Sequence, residues 1–173
     1  MDADGVVKAI DYLTASNRNG FGDDVPKFKD GSLNAKEKKV IVIGGGDTAM
    51  DCVRTAVRQG ATSVKCLYRR DQDNMPGSVR ETQNAKEEGV EFLWLSSPKE
   101  FCGEPVSGVS VQKMRLGSAD ATGRQRPEVI EGVDYVEPAD LIIEALGFQA
   151  ENLPHLWDAE GLEVTRWGTI KAD

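Results

Sequence analysis

The segment KKVIVIGGGDTAMD, Lys38–Asp51, constrains the fold of this 173-residue chain more than any other. Its β-branched run Val40–Ile43 predicts a buried strand, and three glycines follow directly. A helical pattern starts just after these glycines. A strand, a tight glycine turn and a helix N-terminus in this order are the arrangement that binds a pyrophosphate through backbone amides.

The glycine segment Gly44–Ala49 fits the pattern G-x-G-x-x-G/A. Gly44 makes the tight turn, Gly46 lets amide groups approach phosphate oxygens, and Ala49 keeps the helix close to the strand. Such a motif alone is also compatible with a turn that binds nothing. The strand before it, the helix after it and a second strand at the expected distance together favour dinucleotide binding. A P-loop is excluded because no Gly-Lys-Ser/Thr follows.

The rest of the chain alternates strands and helices, which predicts an α/β fold. We expect a Rossmann-like three-layer domain with a mainly parallel sheet and a small inserted antiparallel β-meander, the meander being indicated by apolar and polar alternation. The predicted elements are strands Lys39–Ile43, Ser63–Tyr68 and Val90–Leu95, helix Asp47–Gln59, a helix to Glu88 opened by a capping box at Ser78–Glu81, antiparallel strands around Val109 and over Glu128–Val136, a loop Gly117–Pro127, and a parallel strand Ala139–Ala145.

Three segments are predicted to organise the chain: 1–37, 38–150 and 151–173. The first holds a helix over residues 5–16, with Val6, Val7, Ile10 and Leu13 on one face, and a connector over 17–37. The middle segment is the nucleotide-binding domain. The last has no strong pattern.

The end of the second predicted strand indicates which dinucleotide binds. An NAD site places Asp or Glu about 20 residues beyond the glycines, to bind the ribose 2′-hydroxyl. This chain has Arg69 and Arg70 there, and two guanidinium groups suit a 2′-phosphate. NADP(H) is therefore favoured. Two alternatives stay open: the arginines balance Asp71 and Asp73 in solvent, or Asp71 serves an NAD ribose.

Composition and charge exclude several classes of function. The net charge of −8 argues against a general nucleic-acid or membrane-surface binder. No run of 18 apolar residues occurs, and the three cysteines form no C-x-x-C, so we predict neither a metal site nor disulfides. A cytoplasmic setting fits best. No Ser/His/Asp or Cys/His set can be assembled, so no catalytic residue is predicted.

The segments GGGDTAMD, CLYRRD, NMPGS, NAKEEGVEF and EALGF, in this order, resemble the small (β) subunit of NADPH-dependent glutamate synthase, within the pyridine nucleotide-disulphide oxidoreductase superfamily. The resemblance runs from Gly5 to Asp173. It implies that Arg69 and Arg70 hold the 2′-phosphate and that Ala145, Leu146 and Gly147 line the nicotinamide side. The residues implied to embrace the pyrophosphate are Gly44, Gly45, Gly46, Asp47 and Thr48.

The resemblance also implies a function for the parent protein. Such subunits pass a hydride from NADPH to FAD, and the electrons then pass through iron–sulfur clusters to a large subunit that makes glutamate. The family's cysteine-rich segment and its FAD-type glycine fingerprint are not in this chain. We therefore expect an excised, inactive NADP(H)-binding domain whose partners are an FAD domain and the large subunit, with no nucleic acid and no membrane. The alternatives are the electron-input domain of another FAD/iron–sulfur oxidoreductase and a stand-alone nucleotide-binding module.

Overall fold

A computed structural model describes residues 3–148, 150–159 and 161–172 of the chain. Within these ranges the backbone forms eight strands and five helices. In chain order these are β1 (Val6–Lys8), α1 (Ala9–Gly20), α2 (Pro26–Lys29), β2 (Lys39–Ile43), α3 (Asp47–Arg58), β3 (Ser63–Leu67), α4 (Val79–Glu87), β4 (Glu91–Leu93), β5 (Ser96–Cys102), β6 (Gly108–Ala119), β7 (Gln125–Pro138), β8 (Leu141–Glu144) and α5 (Leu153–Leu156).

The strands form two sheets. Five parallel strands make the larger one, in the order β1-β8-β2-β3-β4, and β5, β6 and β7 form an antiparallel meander. The meander is inserted between β4 and β8 in the chain. The predicted fold class, an α/β Rossmann-like domain with an inserted meander, is confirmed.

Strand β2 shows why the molecule has three layers. Successive side chains of a strand point to opposite faces. Val40 and Val42 pack into the core shared with the helices, whereas Ile41 and Ile43 pack into a second core that contains the meander residues Val109 and Val111. The parallel sheet is therefore buried on both faces, which explains the uninterrupted β-branched run.

The predicted helix over residues 5–16 is wrong at its start. Val6 and Val7 belong to β1 and pair in parallel with Ile142 and Ile143 of β8. The helix α1 begins only at Ala9 and continues to Gly20. The predicted apolar face is also wrong in part, because Ile10 is 53% exposed.

Two further local predictions need correction. The capping box at Ser78 does not form, since no side-chain cap bond is made at this end of α4 and Glu81 instead pairs with Arg54. The predicted loop Gly117–Pro127 is mostly strand, because β6 and β7 extend to a short turn over residues 120–124. In the described parts of the chain, no helix is long and apolar enough to cross a membrane.

Candidate functional site

Three parallel strands end at one edge of the larger sheet, at Ile43, Leu67 and Glu144. In the sheet, β3 lies on one side of β2 and β8 lies on its other side, so the strand order reverses at β2. In open α/β sheets the crevice at such a reversal of strand order is where ligands bind. The glycine turn, the arginine pair and the segment after β8 are all brought to this crevice.

The glycine turn after β2 has no room for side chains at its first two positions. Gly44 has φ of 147°, and a Cβ there would lie 2.3 Å from the carbonyl oxygen of Ala145. A Cβ on Gly45 would lie 2.5 Å from the ring of Tyr68. The backbone of the turn can therefore pack directly against the residues that follow β8 and β3 only because both positions are glycine.

The third glycine differs, because a Cβ on Gly46 would meet no atom within 4 Å. Gly46 is the N-cap of α3, and its carbonyl accepts hydrogen bonds from the amides of Ala49 and Met50. The amides of Gly46, Asp47 and Thr48 find no acceptor among the residues that the structure describes. Free amides at a helix N-terminus form an anion-binding site.

The two arginines after β3 have no acidic partner in the described part of the chain. Arg70 donates to the carbonyl oxygen of Asn74 over 3.3 Å. The Oδ1 atom of Asp71 accepts from the amide and the side chain of Asn74, at 3.1 and 2.8 Å. In the described structure, neither Arg69 nor Arg70 forms an ion pair with Asp71 or Asp73, the two carboxylates that the alternative interpretation has them balance in solvent.

The segment before α4 folds back over the glycine turn. The Gly77 amide donates to the carbonyl oxygen of Gly45 over 2.9 Å, and the Ser78 amide donates to Oδ1 of Asp47 over 2.7 Å. Asp47 therefore anchors this segment. Its carboxylate is held at the N-terminus of α3, where a negative charge is favourable.

These elements line an open cleft of about 720 Å³. Nine of the ten residues predicted from the sequence line it, and Asp47 does not. The nine are Gly44, Gly45, Gly46, Thr48, Arg69, Arg70, Ala145, Leu146 and Gly147.

Several lining residues were not predicted from the sequence, among them Tyr68, Asn74, Arg124 and Phe148. Tyr68 and Phe148 lie next to predicted residues in the sequence, and this adjacency could have indicated that they belong to the site. Asn74 lies in the polar loop after the arginines. No local pattern indicates Arg124, which reaches the cleft from the meander.

The half-buried phenol of Tyr68 lies in the wall of the cleft and donates to the carbonyl oxygen of Asn74 over 2.9 Å. Burial raises the pKa of this phenol, and the nearby charges of Arg70, Arg69 and Arg124 oppose that shift. The hydroxyl therefore stays protonated and acts as a donor at neutral pH.

A smaller cavity of about 480 Å³ continues the cleft toward the start of α1. Thr48 and residues 145–148 line both cavities, and residues 8–10 and Glu144 complete the lining of the smaller one. A larger cavity, of about 1240 Å³, lies between α1 and β5 and is lined by none of the ten predicted residues. The cleft at the glycine turn remains the candidate site because it combines free amides at a helix N-terminus with two arginines, whatever its size.

A parallel sheet with a glycine turn at its strand-order reversal, helices on one face and a meander on the other, defines a Rossmann-type domain. The sequence comparison assigns this domain to a family. Residues 4–173 match the pyridine nucleotide-disulphide oxidoreductase family, and the chain belongs to it.

The chain is similar to glutamate synthase subunits along almost all of its length. It is 71% identical over 170 residues to the "Putative glutamate synthase (NADPH) small chain" of Cereibacter sphaeroides, covering 98% of this chain and 40% of that protein. It is 60% identical over 169 residues to the glutamate synthase (NADPH) small chain of Azospirillum brasilense, covering 97% and 35%. The chain thus spans about 35–40% of the length of these two relatives.

Among solved structures, the chain is similar to the thioredoxin reductase of T. acidophilum, with a TM-score of 0.64 and 17% sequence identity. The match covers 98% of this chain and 44% of that one. At this identity the likeness concerns the fold alone.

Proposed function

We propose that this chain is the NADP(H)-binding domain of a flavin-dependent oxidoreductase, the small subunit of a glutamate synthase. The observation that carries the proposal is one cleft that joins a glycine turn, a helix N-terminus and two arginines without acidic partners among the described residues. The similarity to NADPH-named glutamate synthase small chains supports the same assignment.

The glycine turn fits a pyrophosphate. The backbone at Gly46 is free of side-chain obstruction, and the adjoining amides of Asp47 and Thr48 have no acceptor in the described structure. Amides of this kind donate to phosphate oxygens, and the helix dipole adds a favourable field. In this role Asp47 contributes its backbone amide, while its carboxylate holds the Ser78 segment.

The arginine pair fits the ribose 2′-phosphate, which favours NADPH over NADH. Guanidinium groups bind phosphate through paired, charge-assisted hydrogen bonds. Asp71, the residue best placed by sequence to serve an NAD ribose, already accepts two hydrogen bonds from Asn74. Asp71 is also not among the residues that line the cleft, so the cleft offers the guanidinium groups of Arg69 and Arg70 to the ribose.

The far end of the cleft fits the nicotinamide. Ala145, Leu146 and Gly147 line both cavities there, and Leu146 is 69% exposed. NADPH bound in this cleft would supply a hydride, for which the flavin of a neighbouring domain would be the acceptor. In this chain the residues after β8 would orient the nicotinamide toward the exposed end of the cleft, where Leu146 lies.

The remaining partners follow from the same proposal. An FAD domain of the same polypeptide would contact the exposed side chains of the segment 151–173, in which Trp157 and Trp167 are 63% and 71% exposed. Electrons would pass on through iron–sulfur clusters to a glutamate synthase large subunit. The three free cysteines fit a reducing, cytoplasmic setting.

The direct test is titration calorimetry of the purified chain with NADPH and with NADH. We expect NADPH to bind more tightly, and the double variant Arg69→Ala/Arg70→Ala to lose about 10- to 100-fold in affinity for NADPH with little change for NADH. The matched control is Arg80→Ala/Arg126→Ala, which removes two exposed arginines outside the cleft.

Two results contradict the proposal. Wild-type chain that gives no binding heat with NADPH at millimolar concentration has no such site. Equal losses for both dinucleotides in the Arg69→Ala/Arg70→Ala variant remove the 2′-phosphate role of these arginines.

A further inference from the structure

Arg124 lies in the turn between β6 and β7 and lines the same cleft as the arginine pair after β3. The turn is ordered by Asp120. Its Oδ1 atom accepts from the amides of Thr122 and Arg124, at 2.8 and 3.1 Å, and its own amide donates to the Arg124 carbonyl over 3.0 Å. The backbone that carries the Arg124 side chain is therefore held in one conformation.

Backbone hydrogen bonds also tie the meander to the segment that carries the arginine pair. The amide of Leu95 donates to the carbonyl oxygen of Arg70 over 3.0 Å, and the carbonyl oxygen of Leu95 accepts from Met114 of β6 over 2.8 Å. The amide of Ser96 donates to the carbonyl oxygen of Tyr68. The position of the β6–β7 hairpin is thus coupled to the position of Arg70.

Arg124, like Arg69 and Arg70, makes no ion pair with any described carboxylate. All three arginines line the same cleft, together with Tyr68. Three like charges repel one another, and a multiply charged anion bound among them removes that cost. This concentration is unusual in a chain with a net charge of −8.

We propose that Arg124 is a third arginine for the ribose 2′-phosphate, so that the inserted meander takes part in selecting NADPH over NADH. This inference rests on the proposed function of the cleft. The 2′-phosphate is the only dianionic group that distinguishes the two dinucleotides. A guanidinium from a second element can bind phosphate oxygens that the two adjacent arginines leave free.

The test is calorimetry of Arg124→Gln with NADPH and NADH. The control is Arg126→Gln, which also removes one positive charge. Arg126 lies two residues further along the chain, is exposed and does not line the cleft. We expect Arg124→Gln to weaken NADPH binding about tenfold or more and to change NADH binding less than about twofold. Arg126→Gln should leave both affinities close to those of the wild type.

The outcomes separate this inference from the function on which it rests. If wild-type chain binds neither dinucleotide, the proposed function fails. If it prefers NADPH but Arg124→Gln matches Arg126→Gln, or weakens NADPH and NADH equally, the role of Arg124 fails alone. Arg124→Lys keeps the charge without the paired donors and should give an intermediate loss. Should the glutamine variant not fold by circular dichroism, the same comparison is made with the lysine variant.

Discussion

Gly44 and Gly46 have opposite structural requirements although both belong to the glycine turn. An alanine at position 44 must adopt a φ of 147° and place its Cβ 2.3 Å from the Ala145 carbonyl oxygen. We expect Gly44→Ala to lower the free energy of unfolding by about 1–3 kcal/mol or more. Urea denaturation measures this, and a variant as stable as the wild type contradicts the tight packing described here.

Gly46→Ala is the counterpart that tests binding rather than folding. Its φ of −91° suits any residue, and its Cβ meets no atom within 4 Å. We expect unfolding within about 0.5 kcal/mol of the wild type. Affinity for NADPH should fall because the methyl group keeps phosphate oxygens away from the amides. A variant with unchanged stability and unchanged affinity removes the pyrophosphate from this turn.

The Cys66 thiol should make the chain sensitive to alkali. Burial raises the pKa of this thiol to about 12, from an ordinary value of 9.0. Because the unfolded chain ionises first, stability is complete below pH 9.0 and is lost as pH rises toward about 12. The loss should reach about 1.4 kcal/mol per pH unit for this one group. Comparing Cys66→Ala with the wild type by urea denaturation should show a shallower alkaline decline in the variant.

Helices α3 and α4 are joined by ion pairs of Arg54, which contacts Glu81 and lies 2.8 Å from Glu88. The Arg54 hydrogen bond is the main cause that lowers the pKa of Glu88. This contribution to stability is therefore present above the ordinary carboxyl pKa of 4.5 and is lost as pH falls through the lowered value.

We accordingly expect Arg54→Met to lower the melting temperature at about pH 7, and the difference from the wild type to shrink at about pH 3. Arg58→Met is the control, because Arg58 is 63% exposed and lies 3.4 Å from Glu88. A difference that is independent of pH would show that Arg54 acts through packing rather than charge.

Elements with strong local signals were predictable from the sequence. Strand β2 has the predicted bounds Lys39–Ile43, since its β-branched run ends directly at the glycine turn. Gly60 and Gly89, which follow α3 and α4, have φ of 85° and 93°, the left-handed conformation typical of glycines that end helices. In each case residues a few positions apart determine the conformation.

Elements that depend on distant partners were not predictable. Val6 and Val7 become a strand because Ile142 and Ile143 offer a parallel edge, and three residues are too few for a two-residue period to be recognised. Arg124 reaches the cleft only through the meander's register and its backbone bonds to the Arg70 segment. Long-range pairing of this kind leaves no local pattern.

At the scale of the whole molecule, the residues that are proposed to lie beside the nicotinamide are exposed, since Leu146 and Phe148 are 69% and 71% exposed. A hydride requires an acceptor, and none of the described side chains is one. We expect the 173-residue chain to bind NADPH yet not to oxidise it with an artificial electron acceptor, as followed by NADPH absorbance. A flavoprotein that reduces the same acceptor is the positive control. Oxidation by the chain without added flavin contradicts the prediction.

The segment before α4 shares two hydrogen bonds with the glycine turn, from Gly77 to Gly45 and from Ser78 to Asp47. The hydrogens in these bonds can be replaced by deuterium only when the bonds open. A ligand that steadies the turn would therefore slow deuterium uptake at both amides. The peptide spanning them is thus a built-in reporter of occupancy, readable by mass spectrometry without any attached probe.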